Sequence, residues 1–134
     1  DHTFNHKFGA VDGIGNNTTG TVWDIPNQLY PWTALDTPAI VNVERNNVGD
    51  NGITVTVQGL DGDYLEVSED IVISGADQVG TQLFKRVNRA FISGATTNAG
   101  DIDIEAGAAG GTTVARIQAG LGQTLMAVFT VPAH

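Results

Sequence analysis

From residue 39 onward, apolar residues recur at every second position in short runs, and nearly every run stops near a glycine. A period of two matches the pleat of a β-strand and cannot be laid on one face of a helix. Ile53-Thr54-Val55-Thr56-Val57 puts three aliphatic side chains on one face and two threonines on the other, and Asp101-Ile102-Asp103-Ile104-Glu105 alternates acids with isoleucines. Similar runs predict strands over Ala39–Glu44, Leu65–Ile73, Leu83–Ile92 and around Val114. Thr124–Val131 is almost wholly apolar, which predicts a central strand buried on both faces. The turns fall at the Asp-Gly of Gly59–Asp63, at Gly75–Gly80, Asn98–Gly100, Gly107–Gly111 and Gly120–Gly122. Glu69 interrupts the face shared by Leu65, Val67, Ile71 and Ile73, so a bulge or break is expected near Ser68-Glu69-Asp70. Seven to eight short antiparallel strands with no helix signal define an all-β chain, a β-sandwich or jelly roll. No repeat of fixed period appears, which weighs against a solenoid or propeller.

Residues 1–38 have a different texture. They hold five of the nine aromatics (Phe4, Phe8, Trp23, Tyr30, Trp32) and three of the four prolines. Proline fixes φ and donates no hydrogen bond, so Ile25-Pro26 and Tyr30-Pro31-Trp32 read as extended, irregular backbone. Between the aromatics lies the polar stretch Gly13–Gly20. The expected organisation is an extended aromatic and proline-rich arm over 1–38 and a β-sandwich over 39–134. An arm of this kind must lie on its own domain or on a neighbouring chain.

Charge narrows the partners. With 6 Lys+Arg against 15 Asp+Glu the net charge is −9 over 134 residues. Binding to nucleic acid or to an anionic membrane surface needs clustered cations, so neither is expected. Cysteine is absent, which excludes disulfides and thiolate metal sites. No apolar run approaches the roughly 18 residues of a membrane span. Asn16 and Asn17 open glycosylation sequons that read as a polar loop, and the lack of Met before Asp1 suggests a natural start elsewhere.

Catalytic motifs are weak. Asp61, Asp63 and Glu66 look like a fragment of a calcium loop that Asp101 or Asp103 could complete, but the EF-hand spacing is not met. His2 and His6 lack a helix signal and an intervening Glu, and His134 is terminal, so no metal ligation is expected. Ser68, Ser74 and Ser93 lie outside any Gly-x-Ser-x-Gly turn. A glycosidase would need two converging carboxylates, and nothing singles out a pair. Lys85, Arg86 and Arg89 are half of the basic residues within five positions. Strict alternation puts Lys85, Val87 and Arg89 on one face and Arg86 with Asn88 on the other. Pairing with the acids of 66–70 or 101–105 is expected, within the chain or across an interface.

Four segments resemble a family of tailed-bacteriophage virion structural proteins: Trp23–Trp32, Val57–Glu69, Phe84–Phe91 and Gly122–Ala133. They cover about a third of the chain and fall in the family's order. The resemblance implies a virion component without known chemistry, and similar proteins often continue past the Val-Pro-Ala segment into a second β domain. The expectation is a non-enzymatic capsid decoration or cement protein without cofactor or metal, located on the capsid exterior. It would be a homotrimer docked on the major capsid protein, with Phe4, Phe8, Trp23, Tyr30 and Trp32 as interface anchors. The alternative is a tail, neck or head-fibre module that stacks host glycan on Trp23 and Trp32.

Overall fold

The computed structural model describes residues 6–94 and 97–133. Seven strands form two antiparallel sheets: β1 (Val41–Arg45), β2 (Thr54–Leu60), β3 (Glu66–Val72), β4 (Asp77–Val79), β5 (Arg86–Ser93), β6 (Ile102–Ala106) and β7 (Thr113–Ile117). The first sheet has the order β4-β1-β6-β7 and the second β3-β2-β5. Among the described residues the only helical element is one 3-10 turn at Val48–Asp50. Alternation supplies the core. Val41, Val43, Ile102, Ile104, Ala115 and Ile117 from the first sheet share one cluster with Val55, Val57, Ile71, Val87 and Ala90 from the second. Each fully buried aliphatic side chain stabilises the fold by roughly 1.5–3 kcal/mol, so this shared layer outweighs any strand propensity.

The irregularity of the second sheet lies elsewhere than at Glu69. β3 pairs with β2 without interruption from Val72 to Glu66. Glu69 stays on its face because its carboxylate finds donors: it accepts the Thr81 N–H at 2.7 Å, the Thr81 hydroxyl at 2.9 Å and the Gln82 N–H at 3.2 Å. The bulge is in β5, where Gln58 faces Arg89 and Gly59 faces Val87, leaving Asn88 as the extra residue. Strict alternation therefore fails there. Gln58 and its partner Arg89 lie on the outer face, while Val87, opposite Gly59, turns inward. The 75–80 turn region contains the short strand β4.

Thr124–Val131 is not a central strand. It runs along the free edge of β5 with one isolated bridge, Phe91 to Gln123, and with the Thr124 N–H donating to the Ala90 carbonyl at 2.9 Å. Two further backbone groups pair with the N-terminal arm: Ala10 N–H donates to the Leu125 carbonyl and Ala127 N–H to the Val22 carbonyl, both at 2.8 Å. The apolar run does signal burial, since Met126 and Val128 enter the core, but the arm supplies the second cover. Gly9 allows the close approach, because a Cβ there would lie 2.6 Å from the Ala127 nitrogen.

Packing does not divide at residue 38. Trp23, Ile25, Tyr30 and Leu35 belong to the same core cluster as the strands. The polar stretch is pinned by Asn27, whose side chain accepts the Gly15 N–H and donates to the Gly13 carbonyl, each at 2.9 Å. Asp24 ties the arm to the C-terminal segment, its two carboxylate oxygens accepting the Leu125 N–H at 3.0 Å. Burial outweighs these hydrogen bonds and pushes the Asp24 carboxyl up to about 6 from an ordinary 3.8. The folded state thus holds the Asp24 proton more tightly than the unfolded chain does. Its stabilising contribution is complete below the unfolded value and is lost as pH rises through about 6. Asp24→Asn removes this dependence and keeps one oxygen for Leu125. The melting temperature of the wild type is expected to fall relative to that of the variant between pH 4 and pH 7. An equal gap at both ends of a calorimetric pH series would refute the assignment.

Candidate functional site

A groove of about 550 Å³ lies on the outer face of β3-β2-β5. Gln58 from β2, Glu66 and Ser68 from β3 and Arg89 from β5 contribute to its lining, with Asn88 at the bulge. The two terminal segments line it as well, through Lys7 on one side and Phe129 on the other. The bulge organises this convergence. The Asn88 amide imitates a strand neighbour: Oδ1 accepts the Thr130 N–H at 3.2 Å and Nδ2 reaches the Thr130 carbonyl at 3.5 Å. Its backbone carbonyl accepts from Lys7 Nζ, which also donates to the Val128 carbonyl at 2.6 Å. Lys7 lies 5.5 Å from the centre of the Phe129 ring. Burial, and then repulsion from Arg89, lower the Lys7 ammonium to about 8. Arg89 stacks 4.5 Å from the centre of the Phe91 ring and donates to Gln123 Oε1 at 3.2 Å.

The anticipated anchors separate into two groups. Trp23 is 1% exposed and Tyr30 6%, so their rings are consumed by the chain's own core and cannot be docking anchors or a sugar platform. Trp23 Nε1 donates to the Gln28 carbonyl at 3.1 Å, its ring meets Tyr30 edge-on at 5.1 Å, and the Tyr30 hydroxyl reaches the Val87 carbonyl at 3.4 Å. Burial holds the Tyr30 phenol well above its ordinary range. Trp32, 47% exposed, packs edge-on against Tyr30 at 4.9 Å. Phe8 is 83% exposed and stacks on His6 at 6.0 Å. Phe4, His2 and His134 lie outside the described residues.

Within the chain the basic cluster does not pair with the acids of 66–70 or 101–105. Arg86 approaches Asp36 at 3.7 Å, Lys85 Nζ donates to the Asp36 carbonyl at 2.5 Å, and both cations lie about 6 Å from the Tyr64 ring. The acid of β6 takes its cation from the next strand instead, with Asp103 accepting both Arg116 Nε at 2.6 Å and Arg116 NH2 at 2.8 Å. Exposed Glu44 on β1 and Asp77 on β4 leave the outer face of the first sheet anionic, while the other acid of β6, Glu105, is buried and accepts from Asn42 and Gly110. Glu44 stands opposite Asp77 on β4 and Asp103 on β6. Burial first, then a hydrogen bond with Glu105 and repulsion by Glu105, Asp103 and Asp77, raise the Glu44 carboxyl.

The Asp61 carboxylate is a turn former. It accepts the N–H groups of Asp63 at 2.9 Å and Leu65 at 3.0 Å, and Tyr64 takes the left-handed conformation. Among the described residues, no group of three or more His, Asp or Glu side chains is placed to hold a metal ion. None of the described helical elements is long and apolar enough to cross a membrane. Lys7, Gln58 and Phe129 were not singled out by sequence reasoning, which weighed Ser68 only as a nucleophile and Asn88 only as a strand neighbour of Arg86, because these residues come from segments far apart in the chain. The chain matches no family model, no curated protein and no solved structure.

Proposed function

We propose that this chain is a non-enzymatic structural protein of a tailed-phage virion, a decoration protein that docks as a homotrimer on the major capsid lattice. The observation that carries this reading is the division of labour within the arm. Trp23 and Tyr30 lock it to the sandwich, Trp32 and Leu29 are exposed on the same locked stretch, and Phe8 is exposed nearer the start of the arm. Docking through rings already held in place loses little conformational entropy, and a buried aromatic anchor can contribute roughly 2–4 kcal/mol. Lys85 and Arg86 share a shallow notch with Trp32, adding cations beside the ring on an otherwise acidic molecule. Asp77 and Glu44, opposite each other on the first sheet, would face solvent on the particle and keep it soluble.

The triple variant Phe8→Ala, Leu29→Ala, Trp32→Ala is expected to lower occupancy on capsids stripped of the protein at least tenfold, with melting within a few degrees of the wild type. Gel densitometry of pelleted particles reads the occupancy. Full occupancy by the folded variant would overturn the reading.

A further inference from the structure

We infer that the groove on the outer face of the second sheet is a binding site for an acidic saccharide. Its volume, about 550 Å³, falls within the range of small-ligand sites, roughly 300–1,000 Å³. The chain carries six cations against fifteen acids, yet two of the six, Lys7 and Arg89, lie at this groove. Neither has a carboxylate partner among the described residues. The ion pairs there are Arg86 with Asp36 and Arg116 with Asp103. Arg89 is exposed and held in place by the Phe91 ring and Gln123, which leaves a guanidinium edge for a planar carboxylate. Lys7 has three N–H donors and uses two of them on the carbonyls of Asn88 and Val128.

The rest of the lining favours hydroxyls over a bare anion. Gln58 both donates and accepts, Ser68 does the same, and the Glu66 carboxylate only accepts. A sugar hydroxyl can satisfy each of these, whereas a ligand carrying carboxylates alone would face Glu66 with like charge. Phe129 adds an apolar wall for the C–H face of a ring. The combination of one charged clamp, mixed donors and acceptors and one aromatic wall fits a sugar acid better than an acidic peptide. Trp32 and Leu29 lie outside the groove, whereas Phe8 stacks on His6 of its lining, so Leu29→Ala with Trp32→Ala separates capsid docking from saccharide binding and Phe8→Ala does not.

The test probes an array of uronic-acid, sialic-acid and neutral oligosaccharides with the full chain carrying a C-terminal epitope tag. A tetra-glutamate peptide serves as a carboxylate-only competitor. Retention on acidic saccharides is expected, about tenfold weaker for Arg89→Ala and abolished for Ser68→Trp, whose indole would fill the groove from an exposed strand position. Both variants should melt like the wild type, since neither residue enters the core. No retention on acidic spots, equal retention on neutral ones, or retention untouched by either variant would overturn the inference. Competition by tetra-glutamate as effective as by the retained saccharide would assign the groove to acidic peptides instead and equally overturn it.

Discussion

A chain that begins at residue 39 is expected not to fold, and Trp23→Ala alone to cost about 3–5 kcal/mol, the range for emptying an aromatic core position. Trp23 is almost fully buried, and its ring supports Tyr30, whose hydroxyl reaches the β5 bulge at Val87. Alanine there leaves a cavity and removes the indole donor from the Gln28 carbonyl. The truncation goes further. It takes Trp23, Ile25, Tyr30 and Leu35 from the core together, and with Asp24 and Val22 it takes the partners of Leu125 and Ala127. Domains of this size have about 5–15 kcal/mol of net stability, which four such losses exceed. Urea melts followed by far-UV circular dichroism read both effects, and Trp32→Ala, at a half-exposed ring, is the neutral control. Cooperative unfolding of the truncated chain would show that the sandwich stands without its arm.

The same residues explain what could be read in advance. Period two is a local property, so Val55 and Val57 or Ile102 and Ile104 declare their inward faces without knowledge of the rest. Which ring covers which surface is not local. Prolines mark the arm as extended, but Tyr30 meets Val87 and Asp24 meets Leu125 across 57 and 101 positions. Nothing in the arm encodes whether the surface beneath it is its own. Glu69 misleads for a related reason. A carboxylate on an apolar face looks like a break until the N–H groups of Thr81 and Gln82 are found to satisfy it. The groove was illegible altogether, because it exists only where a bulge at Asn88 brings both terminal segments over the sheet.

Gly59→Ala is expected to be among the most destabilising single substitutions in the sheets, at or above the upper end of the roughly 1–3 kcal/mol typical of overpacking. A Cβ at position 59 would stand 1.8 Å from the Arg86 carbonyl oxygen and 3.1 Å from the Phe84 ring. The first obstacle is backbone, so no rotamer change can relieve it. Position 59 lies where β5 gains its extra residue, so β2 can yield only by pushing β5 away or by expelling the bulge. Expelling it would restore strict alternation and force Val87 and Arg89 onto one face, so either Arg89 turns into the core, where an unpaired cation is costly, or Val87 leaves it. Either route loosens Asn88, and with it the hold on Thr130 and Lys7. Gly15→Ala is the matched control, since its Cβ would meet Thr18 Oγ1 at an ordinary 3.4 Å. In a calorimetric comparison the first variant should melt far below the wild type and the second within a degree or two. If both melt alike, the bulge does not depend on a bare backbone at position 59.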